Sequence, residues 1–167
     1  MREERRHHGI HMPLRGQLLR DYSFMSAAGH TIQLTDFRGK WNLVLVAVPG
    51  PLDAAQTHLL SSLAEKSAQV RENETRLLVV TRPEYLATVV NLGDDLLFLS
   101  DTDGEAMLEL GADDALVVYI TDKFREVIHR IDAADKGLLP TADEIVSWTE
   151  FAAIQCPECH PPADEAA

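Results

Sequence analysis

Asn42-Leu43-Val44-Leu45-Val46-Ala47-Val48, followed by Pro49-Gly50-Pro51 and then Asp53, decides how this chain is read. The run from Leu43 to Val48 has no polar alternation and is rich in β-branched residues, the pattern of a central parallel strand covered on both faces. Pro49-Gly50-Pro51 stops it. Asp53 with Gln56 three residues on predicts a helix N-terminus, and Leu59, Leu60 and Leu63 carry the helical spacing toward about Arg71.

The alternation continues on both sides of that unit. Arg76–Thr81 reads as a second buried strand, Pro83–Asn91 as a short helix with proline in its first turn, and Leu96–Leu99 as a brief strand. Gly104–Leu110 is a short helix closed by Gly111, and Ala115–Ile120 a strand that Thr121-Asp122-Lys123 turns back into Glu126–Arg130. Upstream, Ser23–Phe24 and His30–Leu34 form an early hairpin across Ala27-Ala28-Gly29. Thr141 with Glu144 opens a last helix whose apolar face is Ile145, Trp148 and Ala152. Parallel βαβ units followed by an antiparallel ββα end predict an α/β three-layer sandwich, a central mixed β-sheet flanked by helices.

The chain has 167 residues, 46% hydrophobic and 25% charged, an ordinary globular composition for one domain. No apolar run approaches a membrane span. Fifteen basic side chains against 27 acidic ones give a net charge of -12, which repels phosphate backbones and argues against nucleic-acid binding. The charge is uneven: residues 1–20 hold five arginines against Glu3 and Glu4, so the acidity belongs to the rest. Residues 1–15 read as a basic, histidine-rich, disordered start, 16–155 as the folded domain, and 156–167 as a tail. The start is no secretory signal, so the expected compartment is the cytoplasm.

Asp36-Phe37-Arg38-Gly39-Lys40-Trp41-Asn42-Leu43-Val44-Leu45-Val46 resembles the "LSDFRGKxVVLVF" opening segment of the redoxins, in the alkyl hydroperoxide reductase/thiol-specific antioxidant (peroxiredoxin) branch of the thioredoxin fold. Tyr119-Ile120-Thr121-Asp122-Lys123-Phe124-Arg125-Glu126-Val127 resembles the same family's "FLIDxxGxI" hairpin. The resemblance runs from about Gly16 to Phe151. It implies a thioredoxin-like fold, thiol–disulfide or antioxidant oxidoreductase chemistry and a thioredoxin-type reductant or protein partner, while a homodimer is a separate expectation tied to a metal site shared between two chains.

The residues that should carry that chemistry are different ones here. Peroxiredoxins have Pro-x-x-x-Thr-x-x-Cys, whose cysteine is held as thiolate at a helix N-terminus. From Pro49 the threonine position falls on Asp53 and the cysteine position on Gln56. A Cys-x-x-Cys register would fall near Leu52 and Ala55, again without a thiol, and the expected proline opposite the site falls near Ala115. An amide cannot reduce a peroxide, so ordinary peroxidase activity is not expected.

The chain's two cysteines form Cys156-Pro157-Glu158-Cys159. That spacing can close a disulfide or offer two thiolates to one metal. Following a helix rather than leading one, and near Glu150, Glu158, Asp164 and Glu165, both thiols should be less acidic than those of a thioredoxin. Three readings stay open: inert thiols, a redox pair, or half of a zinc site completed by His160, by His7, His8 or His11, or by a second chain. Cys156-x-x-Cys159-His160 also spells a c-type haem attachment, but the short stretch after His160 argues against haem. His30, His58 and His129 read as surface or strand-edge residues, and Met25 and Met107 as core or surface residues. The expected function is a redoxin-type thiol oxidoreductase using Cys156 and Cys159, and the alternative is a catalytically silent redoxin domain serving as a binding or zinc-linked dimerisation module.

Overall fold

The computed structural model describes residues 12–155. Cys156, Cys159 and His160 lie outside the described residues, as do His7, His8 and His11.

The strand predicted first is the hub. β3 (Asn42–Val48) is buried at every position. It pairs in parallel with β4 (Thr75–Thr81) on one edge and antiparallel with β6 (Val117–Thr121) on the other. Beyond β4 lies β5 (Leu97–Ser100), also parallel, and beyond it the hairpin of β1 (Ser23–Ser26) and β2 (Thr31–Gln33). β7 (Val127–Asp132) completes the far side, giving one seven-stranded mixed sheet in the order β2-β1-β5-β4-β3-β6-β7.

The sheet has two cores because successive side chains leave β3 on opposite faces. Val44, Val46 and Val48 join Leu77, Val79, Val118 and Ile120 beneath a helical layer. That layer comprises α1 (Ala54–Glu65), α2 (Ser67–Glu72), α3 (Leu86–Val89) and α6 (Ala142–Ala153). Leu43, Leu45 and Ala47 face the other way, onto Phe24, Leu34, Leu78, Tyr119 and the α4 (Glu105–Glu109) residues Ala106 and Met107. A short α5 (Ala133–Lys136) follows β7 directly.

The caps explain where the two long helices begin. Asp53 Oδ1 accepts the Gln56 N–H at 2.8 Å while Gln56 Oε1 accepts the Asp53 N–H at 3.2 Å. Thr141 Oγ1 accepts the Glu144 N–H at 3.1 Å, and Ile145 and Ala152 are buried beneath α6.

Two expected helices differ. The one predicted to reach Arg71 breaks at Lys66 into α1 and α2: both pack on α6, and α2 also turns onto β4. The one predicted over Pro83–Asn91 is a four-residue α3 between two tight 3-10 turns.

The β6–β7 hairpin departs from the redoxin pattern that it resembles in a measurable way. Asp122 Oδ1 accepts the N–H groups of Phe124 at 2.8 Å and Glu126 at 2.9 Å, closing the turn. Arg125, at the position of the pattern's glycine, has a left-handed φ of 68°. A non-glycine residue there carries strain. Arg125 also holds the incoming chain, donating through Nη1 to the Leu19 carbonyl at 2.9 Å. Arg125→Asn loses that bond but tolerates the backbone, whereas Arg125→Val loses the bond and meets the steric penalty of a β-branched side chain. Urea denaturation should place the valine variant about 1 kcal/mol below the asparagine variant.

Candidate functional site

The parallel strands β3, β4 and β5 end at one edge of the sheet, and β6, running the other way, begins there. In open α/β sheets this carboxyl edge is where ligands and chemistry gather. The register brings Pro49, following β3, to the same edge as Arg82, Asp101 and Ala115, with α1 starting just beyond.

The start of α1 is chemically closed. The capping box commits the Gln56 N–H to Asp53, and a carboxylate sits at the positive end of the helix dipole. Thr57 adds a bond from its hydroxyl to the Asp53 carbonyl at 2.8 Å. A thiolate placed here would meet an anion and find its donor taken. Of the sequence-nominated positions, Pro49, Asp53, Gln56 and Ala115 thus share one edge of the fold. All described peptide bonds are trans, including those around Ala115.

Sequence reasoning missed three residues that crowd this edge. Thr81, the last residue of β4, is fully buried and its hydroxyl has no hydrogen-bond partner among the described residues. Arg82 pairs with Asp113 at 3.6 Å, reaching across the end of β3. Asp101 is 2% exposed just past β5, with Oδ2 accepting the Met107 N–H at 2.8 Å. Burial holds the Asp101 carboxyl above the ordinary carboxylate range, with Asp103 adding to that and the Met107 and Ala106 N–H groups opposing it. The Asp101-Thr102-Asp103-Gly104 turn before α4 was the one available signal, since aspartates are common in such turns.

Next to Ala115 the edge opens into a cavity of about 300 Å³ lined by Met12, Leu108, Gly111, Asp113, Asp114 and Asp132, among others. Behind its wall Arg130 Nε donates to the buried Tyr119 hydroxyl at 3.0 Å, and that hydroxyl donates to the Leu110 carbonyl at 2.7 Å. Arg130 Nη2 donates to Asp132 at 2.8 Å. Burial raises the Tyr119 pKa, against the pull of Arg130.

Among the described residues no group of three or more histidine, cysteine, aspartate or glutamate side chains is arranged to hold a metal ion. His30 and His58 are exposed, as expected. His129 lies on the edge strand β7, but Trp148 of α6 stacks on it at 3.8 Å between ring centres. Met107 is buried in the second core and Met25 is 36% exposed.

No family model and no curated protein matches the chain. Solved structures do. Reduced Prx3 of Vibrio vulnificus, in complex with hydrogen peroxide, superposes with a TM-score of 0.67 at 20% identity, covering 83% of this chain and 100% of that one. AhpC of Enterococcus faecalis gives 0.69 at 18% identity, covering 89% and 96%. A thiol:disulfide interchange protein DsbE of Chlorobium tepidum gives 0.66 at 13% identity, covering 86% and 99%. The fold is therefore thioredoxin-like, of the form that peroxiredoxins share. Among the described residues no helix is long and apolar enough to cross a membrane.

Two measurements probe this edge. A carboxyl whose folded pKa is raised binds its proton more tightly in the native state. Its contribution to stability is therefore full below the unfolded value of about 3.9 and is lost as pH rises through the raised value. Asp101→Asn, which retains an oxygen for the Met107 N–H, should flatten that fall in a series of thermal melts. Separately, a thiol introduced by Gln56→Cys should stay near the unperturbed pKa of about 8.5, and adding Asp53→Thr should lower it, read by ultraviolet thiolate absorbance.

Proposed function

We propose that this chain is a redoxin-type protein of the thiol–disulfide oxidoreductase and antioxidant class, with its thiol chemistry in Cys156 and Cys159 rather than at the start of α1. The observation that carries the reading is the reciprocal Asp53–Gln56 cap. On a fold shared with peroxiredoxins, it occupies the helix start where those proteins hold their thiolate. Cys156 and Cys159 are the only thiols in the sequence. Their spacing suits a disulfide within one chain, since two intervening residues allow the Cα approach. Closing it releases two protons and two electrons, which a hydroperoxide accepts as it breaks to water and an alcohol; a thioredoxin-type dithiol returns them.

Poorly acidic thiols leave slowly and attack as a small thiolate fraction, so turnover is slow and the disulfide is hard to reduce. The same closed cap also favours a second reading, a catalytically silent domain that binds a partner or is joined as a dimer by zinc on Cys156, Cys159 and His160.

Thiol titration of the full chain, with and without a zinc chelator, separates them. On the redox reading the metal-free protein has two titratable thiols that vanish together with hydrogen peroxide and return with a dithiol. Peroxide consumption should be far slower than that of a peroxiredoxin bearing the usual cysteine, and Cys156→Ser, Cys159→Ser and the double variant should abolish it equally. Thiols masked until zinc is chelated support the second reading, as do metal-free thiols that neither pair nor exchange. Rapid peroxide turnover surviving the double variant overturns both.

A further inference from the structure

The segment ahead of β1 runs along the outer edge of β7. The Gly16 N–H donates to the Val127 carbonyl at 2.9 Å, the Val127 N–H to the Gln17 carbonyl at 2.8 Å, and Leu18 bridges antiparallel to Glu126. Followed backward, this strap carries Met12 along β7 to Arg130. There Arg130 Nη2 donates to the Met12 thioether sulfur at 3.3 Å.

Three features single out that seat. The guanidinium is held from two sides, by the Tyr119 hydroxyl and the Asp132 carboxylate, and the Arg130 side chain is only 12% exposed. Gly111, with a left-handed φ of 75°, leaves open the space that a Cβ would take, and the Met12 sulfur fills it. Met12 nevertheless stays 41% exposed, at the rim of the cavity beside Ala115. A thioether is a weak hydrogen-bond acceptor, so a fixed, charged donor is poorly used on it. A sulfoxide oxygen carries substantial negative charge and would take a charge-assisted bond from the same N–H.

We propose that Met12 is a specific oxidation site, converted by hydroperoxides to the sulfoxide that Arg130 is placed to hold. A sulfur lone pair attacks the nearer peroxide oxygen. The S–O bond forms as the O–O bond breaks, the sulfur gives up two electrons, and the far oxygen departs with the proton as water or an alcohol. Negative charge growing on the oxygens faces the Arg130 N–H, while Asp132 balances the guanidinium and limits its repulsion of the increasingly positive sulfur. The step needs no cysteine and does not depend on the role of Cys156 and Cys159.

The test uses the full chain with Cys156→Ser and Cys159→Ser, so that thiols consume no oxidant. Hydrogen peroxide is added, and sulfoxide at each methionine is followed by peptide mass spectrometry. Met25 is the matched control: it is 36% exposed, and among the described residues no hydrogen bond reaches its sulfur. Met107, 2% exposed, reports on the intact core.

Met12 should oxidise about tenfold faster than Met25, equivalent to about 1.4 kcal/mol. Arg130→Gln should bring it down to the Met25 rate with Met107 still protected. Equal rates in the parent chain overturn the proposal, as does an advantage that survives Arg130→Gln. If that variant exposes Met107, Arg130→Lys replaces it: the shorter ammonium cannot hold the same geometry, so the advantage should again be lost, and its persistence overturns the proposal.

Discussion

β3 is hydrogen-bonded along both edges and packed on both faces, and the other layers are arranged around it. Val44, Val46 and Val48 are committed to the helical side, and Leu43, Leu45 and Ala47 to the side of Phe24 and Tyr119. A slip of one residue in its pairing with β4 would exchange the two sets and misfit both cores. The chain must then leave the sheet after Val48, and Pro49-Gly50-Pro51 takes it to the helical side. That exit places the start of α1 on the same edge as Arg82, Asp101 and Ala115.

The chemistry of that edge follows from which groups the exit brings together. Asp53, Asp101, Asp113, Asp114 and Asp132 stand against Arg82 and Arg130, whose charges are already engaged by Asp113 and Asp132. The balance disfavours an anionic nucleophile, and at the start of α1 the Asp53 cap already uses the helix dipole. A scaffold shared with peroxiredoxins thus carries, at the start of α1, a carboxylate that opposes a thiolate. Fold and chemistry are separable properties, so the likeness of the scaffold does not by itself assign an activity.

Much of this was legible in the residues. The unalternating run of β3, the Asp53–Gln56 and Thr141–Glu144 spacings and the turn at Thr121-Asp122-Lys123 are local signals, and each element formed where its own sequence called for it. The break at Lys66 was not legible, because Leu63 and Val70 keep helical spacing across it, and only in the fold does the chain bend there to bring α2 onto β4. Nor was the strained turn at Arg125, which also holds the Leu19 carbonyl.

What the sequence determined by itself was the order and type of the elements, the two-faced burial of the central strand, and the absence of a thiol after Pro49. These depend on side-chain periodicity, capping and identity within a few residues. Only the tertiary structure decided that Arg82 meets Asp113, that Asp101 is buried with its proton held more tightly, and that Met12 reaches Arg130 over Gly111. Such contacts join residues between 6 and 118 positions apart. The two longer ones exist because the pairing of β4, β3, β6 and β7 brings the strand ends together, and no local pattern encodes that distance.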